Sequence, residues 1–234
     1  MTPSERCILL MVKHPGFVPV KTRLAVSLGE AKARSLYEAL AADAVRILAE
    51  EDRLLTVLYD PPEAGDAVAR WLGSGPIYRP QRGSGLGERM AAGLREAFDA
   101  GFHTAVLTGS DIPGLDSSLA RQALDGLDTH DAVIGPAPDG GYYLIGFSGE
   151  SFLPEAFEKI PWSTGEVFSR TLGVLERKGR RVLVLPFRRD IDTIEDLQFF
   201  AADPPSCIGP VFRAWLMENE PIYFTGGKSP KNVL

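Results

Sequence analysis

The chain has 234 residues, 44% of them hydrophobic and 24% charged, with a formal net charge of −6. This is ordinary for a globular protein with a sizeable core, and the scattered Gly and Pro exclude collagenous, solenoid and disordered classes. The acidic balance argues against a nucleic-acid partner, which needs a basic face, and no apolar run approaches the length of a membrane span.

Cys7–Val12 is a continuous apolar run, the pattern of a strand buried on both faces. A loop with Pro15, Gly16 and Pro19 follows. A helix then starts at about Glu30 and carries Ala33, Leu36, Leu40, Ala44 and Ile47 along one side. Leu54–Tyr59 reads as a strand, Ala64–Leu72 as a short helix and Ile77–Arg79 as a short strand. Gly87–Ala100 is a helix with Met90, Leu94 and Phe98 on one stripe. His103–Thr108 is a strand ending in Gly109-Ser-Asp-Ile-Pro113, and Ser117–Leu127 is helical. Ala132–Gly135 is a strand. After the turn Asp139-Gly-Gly141, Tyr142–Phe147 is expected to pair antiparallel with a neighbour. Ser163–Lys178 reads as a helix with Glu166 in its first turn, Arg181–Leu185 as the last strand and Thr193–Ala201 as a helix.

This alternation predicts an α/β fold, a mostly parallel sheet with helices on both faces. No linker divides residues 1–202, which are expected to form one domain. Residues 203–234 begin with Pro204-Pro205 and hold one helix-like piece, Val211–Met217. They read as a C-terminal appendage that either covers the acceptor side of a site or forms a homodimer contact.

Several chemistries are missing. There is no Walker A spacing, no GxGxxG and no GxSxG elbow. Cys7 and Cys207 belong to no CxxC, and the three His form no HExxH, so neither a disulfide framework nor a structural zinc site is expected. The expected location is cytoplasmic. What stands out instead is a run from Arg6 to Gly29 with four basic residues (Arg6, Lys13, Lys21 and Arg23) and no acid. That composition suits a cationic loop that receives an anion.

In an open α/β sheet ligands bind outside the carboxyl ends of the strands. There the sequence gathers Lys13…Lys21-Thr-Arg23, Gln81-Arg-Gly-Ser-Gly-Leu-Gly-Glu-Arg89, Gly109-Ser-Asp111, Asp139-Gly-Gly-Tyr142 and Asp190-Ile-Asp192-Thr. Isolated carboxylates beside Lys and Arg suit Mg²⁺ or Mn²⁺ held together with phosphate. Each cluster also has a plainer reading. Asp111 can be a turn residue, Asp192-Thr193 an N-cap with Glu195 completing a capping box, and Gly140 and Gly141 a tight turn. Trp162 can be core.

These stretches resemble a group of small bacterial proteins placed among the nucleotide-diphospho-sugar transferases, of Rossmann-like GT-A type. Relatives of that group include the guanylyltransferases of molybdenum cofactor and of phospholactate. The resemblance rests on Val20-Lys-Thr-Arg-Leu24, Gly85-Leu-Gly-Glu-Arg-Met90 and Thr108-Gly-Ser-Asp-Ile-Pro-Gly-Leu115. It continues in Gly135-Pro-Ala-Pro-Asp-Gly-Gly-Tyr-Tyr-Leu-Ile-Gly146, Pro161-Trp-Ser-Thr164 and Asp190-Ile-Asp-Thr-Ile-Glu-Asp-Leu197. It implies that Asp111 and Asp192 hold Mg²⁺ or Mn²⁺ and that Lys13, Lys21 and Arg23 line a phosphate loop. Gln81, Gly85 and Arg89 complete the expected nucleotide-binding set. Asp139, Gly140, Gly141, Trp162, Ser163 and Thr164 are expected to face the acceptor. One departure concerns backbone shape: Val18 stands where the group usually has Gly.

The expected activity is metal-dependent transfer from an activated nucleotide to a small-molecule acceptor, first as glycosyl transfer from a nucleotide-sugar. Lys21 and Arg23 then stabilise the leaving diphosphate, and Asp139 serves as base. The alternatives are nucleotidyl transfer from a nucleoside triphosphate with release of pyrophosphate, and a non-catalytic nucleotide-binding protein.

Overall fold

The computed structural model describes residues 5–49, 54–205 and 207–223. The apolar run at the start of the chain forms β1 (Arg6–Lys13), flanked by β2 (Leu54–Asp60) and β4 (Thr104–Gly109), both parallel to it. With β3 (Ile77–Pro80), β5 (Ala132–Pro136), β6 (Tyr142–Ser148) and β7 (Val182–Val184), the seven-stranded order is β3-β2-β1-β4-β6-β5-β7. Only β6 runs against its neighbours, pairing antiparallel with β4 and β5. The Asp139-Gly-Gly turn makes β5 and β6 a hairpin, so the direction expected from the turn is the direction found.

Helices cover both faces because alternate residues of each central strand point to opposite sides. Ile8, Leu10 and Val12 of β1 pack with α2 (Glu30–Leu48), α3 (Gly65–Leu72) and α5 (Ser117–Gly126). Cys7 and Leu9 point the other way, into a cluster with Met90, Leu94 and Ala97 of α4 (Leu86–Asp99) and Leu175 of α6 (Val167–Arg177). A third apolar cluster joins α1 (Thr22–Leu28), α2, α7 (Ile194–Ala202) and α8 (Pro210–Tyr223).

The differences from expectation are local. α1 occupies part of what reads as a loop, separated from α2 by Gly29 at φ 80°. α6 starts at Val167 and not at Ser163, because Ser163 has φ 65° and the chain cannot enter a right-handed helix there. Glu166 is accordingly the N-cap position of α6. The capping box of α7 pairs Thr193 with Asp196 rather than Glu195, since Asp196 is the third helical residue. Val18 keeps a negative φ, and the left-handed conformation in that loop falls on Lys21 instead.

The helix-like piece in the C-terminal stretch is longer than expected, and α8 is anchored to α2. The carboxylate of Asp43, which is 4% exposed, accepts from the backbone N–H groups of Val211 at 3.1 Å and Phe212 at 2.7 Å. Phe212, Trp215 and Leu216 then bury against Leu36, Leu40 and Phe200. Residues 224–234 of the expected appendage lie outside the described residues. Asp43→Ala leaves the buried Phe212 N–H and the part-buried Val211 N–H without their acceptor and should cost about 1–3 kcal/mol. Urea unfolding of the variant measures this, and an unchanged midpoint would show that α8 is held by its apolar face alone.

Candidate active site

From β1 the chain moves out to β2 and β3, whereas β4 lies on the other side of β1 and leads to β5, β6 and β7. A crevice forms where the order reverses in this way, outside the carboxyl ends of the strands. Here it is a cleft of about 820 Å³. Thirteen of the expected residues border it: Lys13, Lys21, Arg23, Gln81, Gly85, Arg89, Asp111, Asp139, Gly141, Trp162, Ser163, Thr164 and Asp192. Gly140 is not in that wall. It has φ 86°, and a Cβ there would stand 2.2 Å from the carbonyl oxygen of Gly165. Its missing side chain lets the hairpin turn pack on the loop before α6, where Phe168 donates its N–H to the Gly140 carbonyl at 2.9 Å.

The cations and the carboxylates of the cleft are paired with each other. Lys21 Nζ donates to Asp111 Oδ2 at 2.5 Å, with the lysine side chain only 5% exposed. Arg23 donates to Asp192 Oδ2 at 2.8 Å. Lys21 also sits in the left-handed region (φ 49°, ψ 43°), a costly conformation for a residue with a Cβ. Such strain persists only where surrounding contacts hold it, and the bond to Asp111 is one of them. The Asp111 carbonyl further accepts from the Ile191 N–H at 3.1 Å, which brings the 190–192 segment to the end of β4. Asp196 fixes that segment from behind, since its carboxylate accepts from Asp192 N, Thr193 N, Thr193 Oγ1 and Arg189.

Gln81 and Arg89 stand in the wall with most of their donors engaged. Gln81 Nε2 donates to the carbonyls of Val12 at 3.1 Å and Leu58 at 2.9 Å, tying the ends of β1 and β2 together. Arg89 pairs with Asp60 at 3.0 Å and donates Nε to the Gly83 carbonyl at 3.1 Å. On the opposite side Trp162 packs edge-on against Tyr142, with ring centroids 6.3 Å apart. It lies so close over Gly87 that a Cβ there would meet the indole at 2.8 Å. Asp139 is exposed and accepts from the Gly141 N–H at 2.9 Å. Thr164 donates to the Pro161 carbonyl at 2.7 Å.

Tyr37 escapes sequence reasoning, and the part played by Asp190 is not legible in it. Tyr37 borders the cleft from α2, but it lies on that helix's buried stripe and reads as core. Asp190 belongs to the Asp-Ile-Asp stretch, where one carboxylate hides behind the other in sequence. Burial pushes its carboxyl up to about 6, the nearby Asp111 and Asp139 carboxylates add to the rise, and Lys21 opposes it.

Among the described residues no three His, Cys, Asp or Glu side chains are arranged to close around a metal ion. Asp111 and Asp192 offer hard oxygen donors only. That donor set fits an ion that takes one or two carboxylates and completes its shell with water and phosphate oxygens, as Mg²⁺ does.

Because Asp190 keeps a proton in the folded state up to about pH 6 against the ordinary 3.8, ligand-free stability falls as pH rises through that window. Asp190→Asn removes the fall. In chelator at pH 7.5 its melting temperature should exceed that of the parent by several degrees, and the gain should shrink toward zero as the pH approaches 4. A difference that does not change with pH would show that Asp190 titrates normally.

The comparisons with known proteins bear on the family and the fold. Residues 42–164 match the family described as "Uncharacterized protein conserved in bacteria (DUF2064)". The crystal structure of a protein from Desulfovibrio desulfuricans G20, provisionally assigned as a nucleotide-diphospho-sugar transferase, superposes with a TM-score of 0.88 at 39% identity. The match covers 94% of this chain and 97% of that one. A nucleotidyl transferase from Methanothermobacter shares the fold at 14% identity and a TM-score of 0.60, over 92% of this chain and 99% of its own. So does the 4-diphosphocytidyl-2C-methyl-D-erythritol synthase of Anaerococcus prevotii, at 14% identity and a TM-score of 0.55, over 84% and 96%. No protein with a curated description matches the chain. The chain belongs to the bacterial DUF2064 family and is a transferase with the nucleotide-diphospho-sugar transferase fold.

Proposed function

We propose that the cleft binds an activated nucleotide together with a divalent ion, and that the protein transfers a glycosyl group from a nucleotide-sugar to a small-molecule acceptor. The observation that carries this reading is the interleaving of charge on the cleft floor. Lys21 and Arg23 come from the start of α1, and Asp111 and Asp192 from two separate segments, yet each cation meets one carboxylate. A metal–diphosphate unit has the complementary pattern: its phosphate oxygens suit the cations and its ion suits the carboxylates. The solved relative at 39% identity supports a nucleotide-sugar donor.

Asp111 and Asp192 would hold the ion, which when bound would neutralise negative charge on the diphosphate. The chain's own residues do the rest. Lys21 and Arg23 take up the negative charge that grows on the leaving diphosphate as the bond from the sugar carbon to its oxygen breaks. Asp139, exposed at the opposite side, accepts the proton of the acceptor hydroxyl while that oxygen bonds to the sugar carbon. Trp162, Ser163 and Thr164 border the acceptor side, and the part-exposed indole offers apolar surface there.

Product identity tests the reaction. Release of a nucleoside diphosphate from a nucleotide-sugar supports glycosyl transfer, whereas pyrophosphate from a nucleoside triphosphate would replace it with nucleotidyl transfer. Calorimetric titration with a panel of nucleotide-sugars and nucleoside triphosphates, in Mg²⁺ and in chelator, tests the donor site. Asp111→Asn should erase the metal-dependent part of nucleotide affinity, with some loss of stability because Lys21 loses its carboxylate partner. Lys21→Ala should weaken nucleotide binding about tenfold or more, as loss of a charge-assisted bond does, with less effect on metal affinity. Unchanged metal dependence in the first variant would remove Asp111 from the site, and unchanged affinity in the second would return the loop to a structural role.

A further inference from the structure

Tyr37 lies between Leu36 and Ala39 on the buried stripe of α2 and is 6% exposed, yet its hydroxyl end borders the cleft. The phenol oxygen accepts two hydrogen bonds, from the backbone N–H of Lys13 at 2.8 Å and from the Ser110 hydroxyl at 3.2 Å. Those donors stand at the ends of β1 and β4, so the phenol bridges the two strands at the point where the sheet order reverses. With its acceptor capacity used, the group has only its own hydrogen left to give. No acceptor among the described residues takes that hydrogen. A buried hydroxyl in that state gains free energy when an acceptor arrives.

We propose that Tyr37 is a further ligand-binding residue, whose hydroxyl donates a hydrogen bond to a phosphate oxygen of the diphosphate between Lys13 and Ser110. This rests on the reading of the cleft as a nucleotide-diphosphate site. The chemistry differs from that of the two cations. Lys21 and Arg23 must each give up a carboxylate partner to meet the phosphates, whereas Tyr37 gives up no protein bond. Burial pushes its hydroxyl up to about 12, with the bonds from Ser110 and Lys13 opposing and Asp111 adding to the rise. The phenol thus stays protonated, and a donor, at neutral pH. It is uncharged, so it orients one phosphate oxygen without adding charge that the ion and the cations already supply.

The probe is inorganic pyrophosphate with Mg²⁺, which carries the diphosphate and no base or sugar, titrated calorimetrically into the full chain. Tyr37→Phe should weaken it about tenfold or more, as loss of a hydrogen bond to a charged group does. Ser110→Ala removes one bond to the phenol oxygen but leaves the Tyr37 hydrogen in place, and should stay within about threefold of the parent. 3-Fluorotyrosine at position 37 is a stronger donor and a weaker acceptor, so it should hold or tighten pyrophosphate. A parent-like affinity in Tyr37→Phe overturns the proposal and leaves the nucleotide reading standing. Equal losses in all three variants also overturn it, because they mark Tyr37 as a bridge between strands only. A parent protein that ignores pyrophosphate with and without Mg²⁺ removes both the nucleotide reading and the role of Tyr37.

Discussion

The architecture depends on the burial of β1 on both faces. Cys7 and Leu9 enter one apolar cluster while Ile8, Leu10 and Val12 enter the other, each at most 1% exposed. A strand with no solvated side cannot lie at an edge or under a single layer, so it takes parallel partners on both sides and helices above and below. Every polar group that the chain needs near the sheet is then displaced to the strand ends. At the carboxyl ends the loops after β1 and β4, with the segment before α7, converge, and the cleft forms where the sheet order reverses.

Charge compensation governs what happens there. A lysine ammonium whose side chain is 5% exposed is tolerable only beside a carboxylate, and Asp111 supplies it. Arg23, 71% exposed, gains far less from Asp192, because solvent screens that pair. The two ion pairs are therefore unequal: the buried one holds the loop after β1 against the end of β4, and the exposed one opens easily. A ligand that carries both signs of charge can replace both pairs without leaving a buried charge alone. The backbone at Lys21 fits this account, since its left-handed conformation turns the side chain into the cleft at a local cost that the ion pair offsets.

Supporting contacts determine how firmly the site is held. Asp196 gathers the N–H groups of Asp192 and Thr193 with the guanidinium of Arg189, so the 190–193 turn is built by one carboxylate before any ligand arrives. Gln81 and Arg89 lock the ends of β1 and β2 and the start of α4 in the same manner. Several of their donors are thereby spent on the frame.

The sequence by itself determined the alternation of strands and helices, the antiparallel β6 and the clustering of Lys, Arg and Asp at the strand ends. Apolar periodicity and turn residues are local signals, and the sheet rules turn them into a fold. Of the fourteen residues expected from strand-end clustering and from the family resemblance, thirteen border one cleft; for those that follow parallel strands the reason is that such loops share an edge. Tertiary structure decided what periodicity cannot carry. Ser163 in a left-handed conformation delays α6, Gly140 serves the Gly165 backbone and not the cleft, and Asp43 captures the start of α8 from 168 positions away. Tyr37 is the clearest case. A tyrosine on a buried helical stripe looks like core in sequence, and only the approach of α2 to the ends of β1 and β4 gives its hydroxyl two donors and leaves its hydrogen unspent.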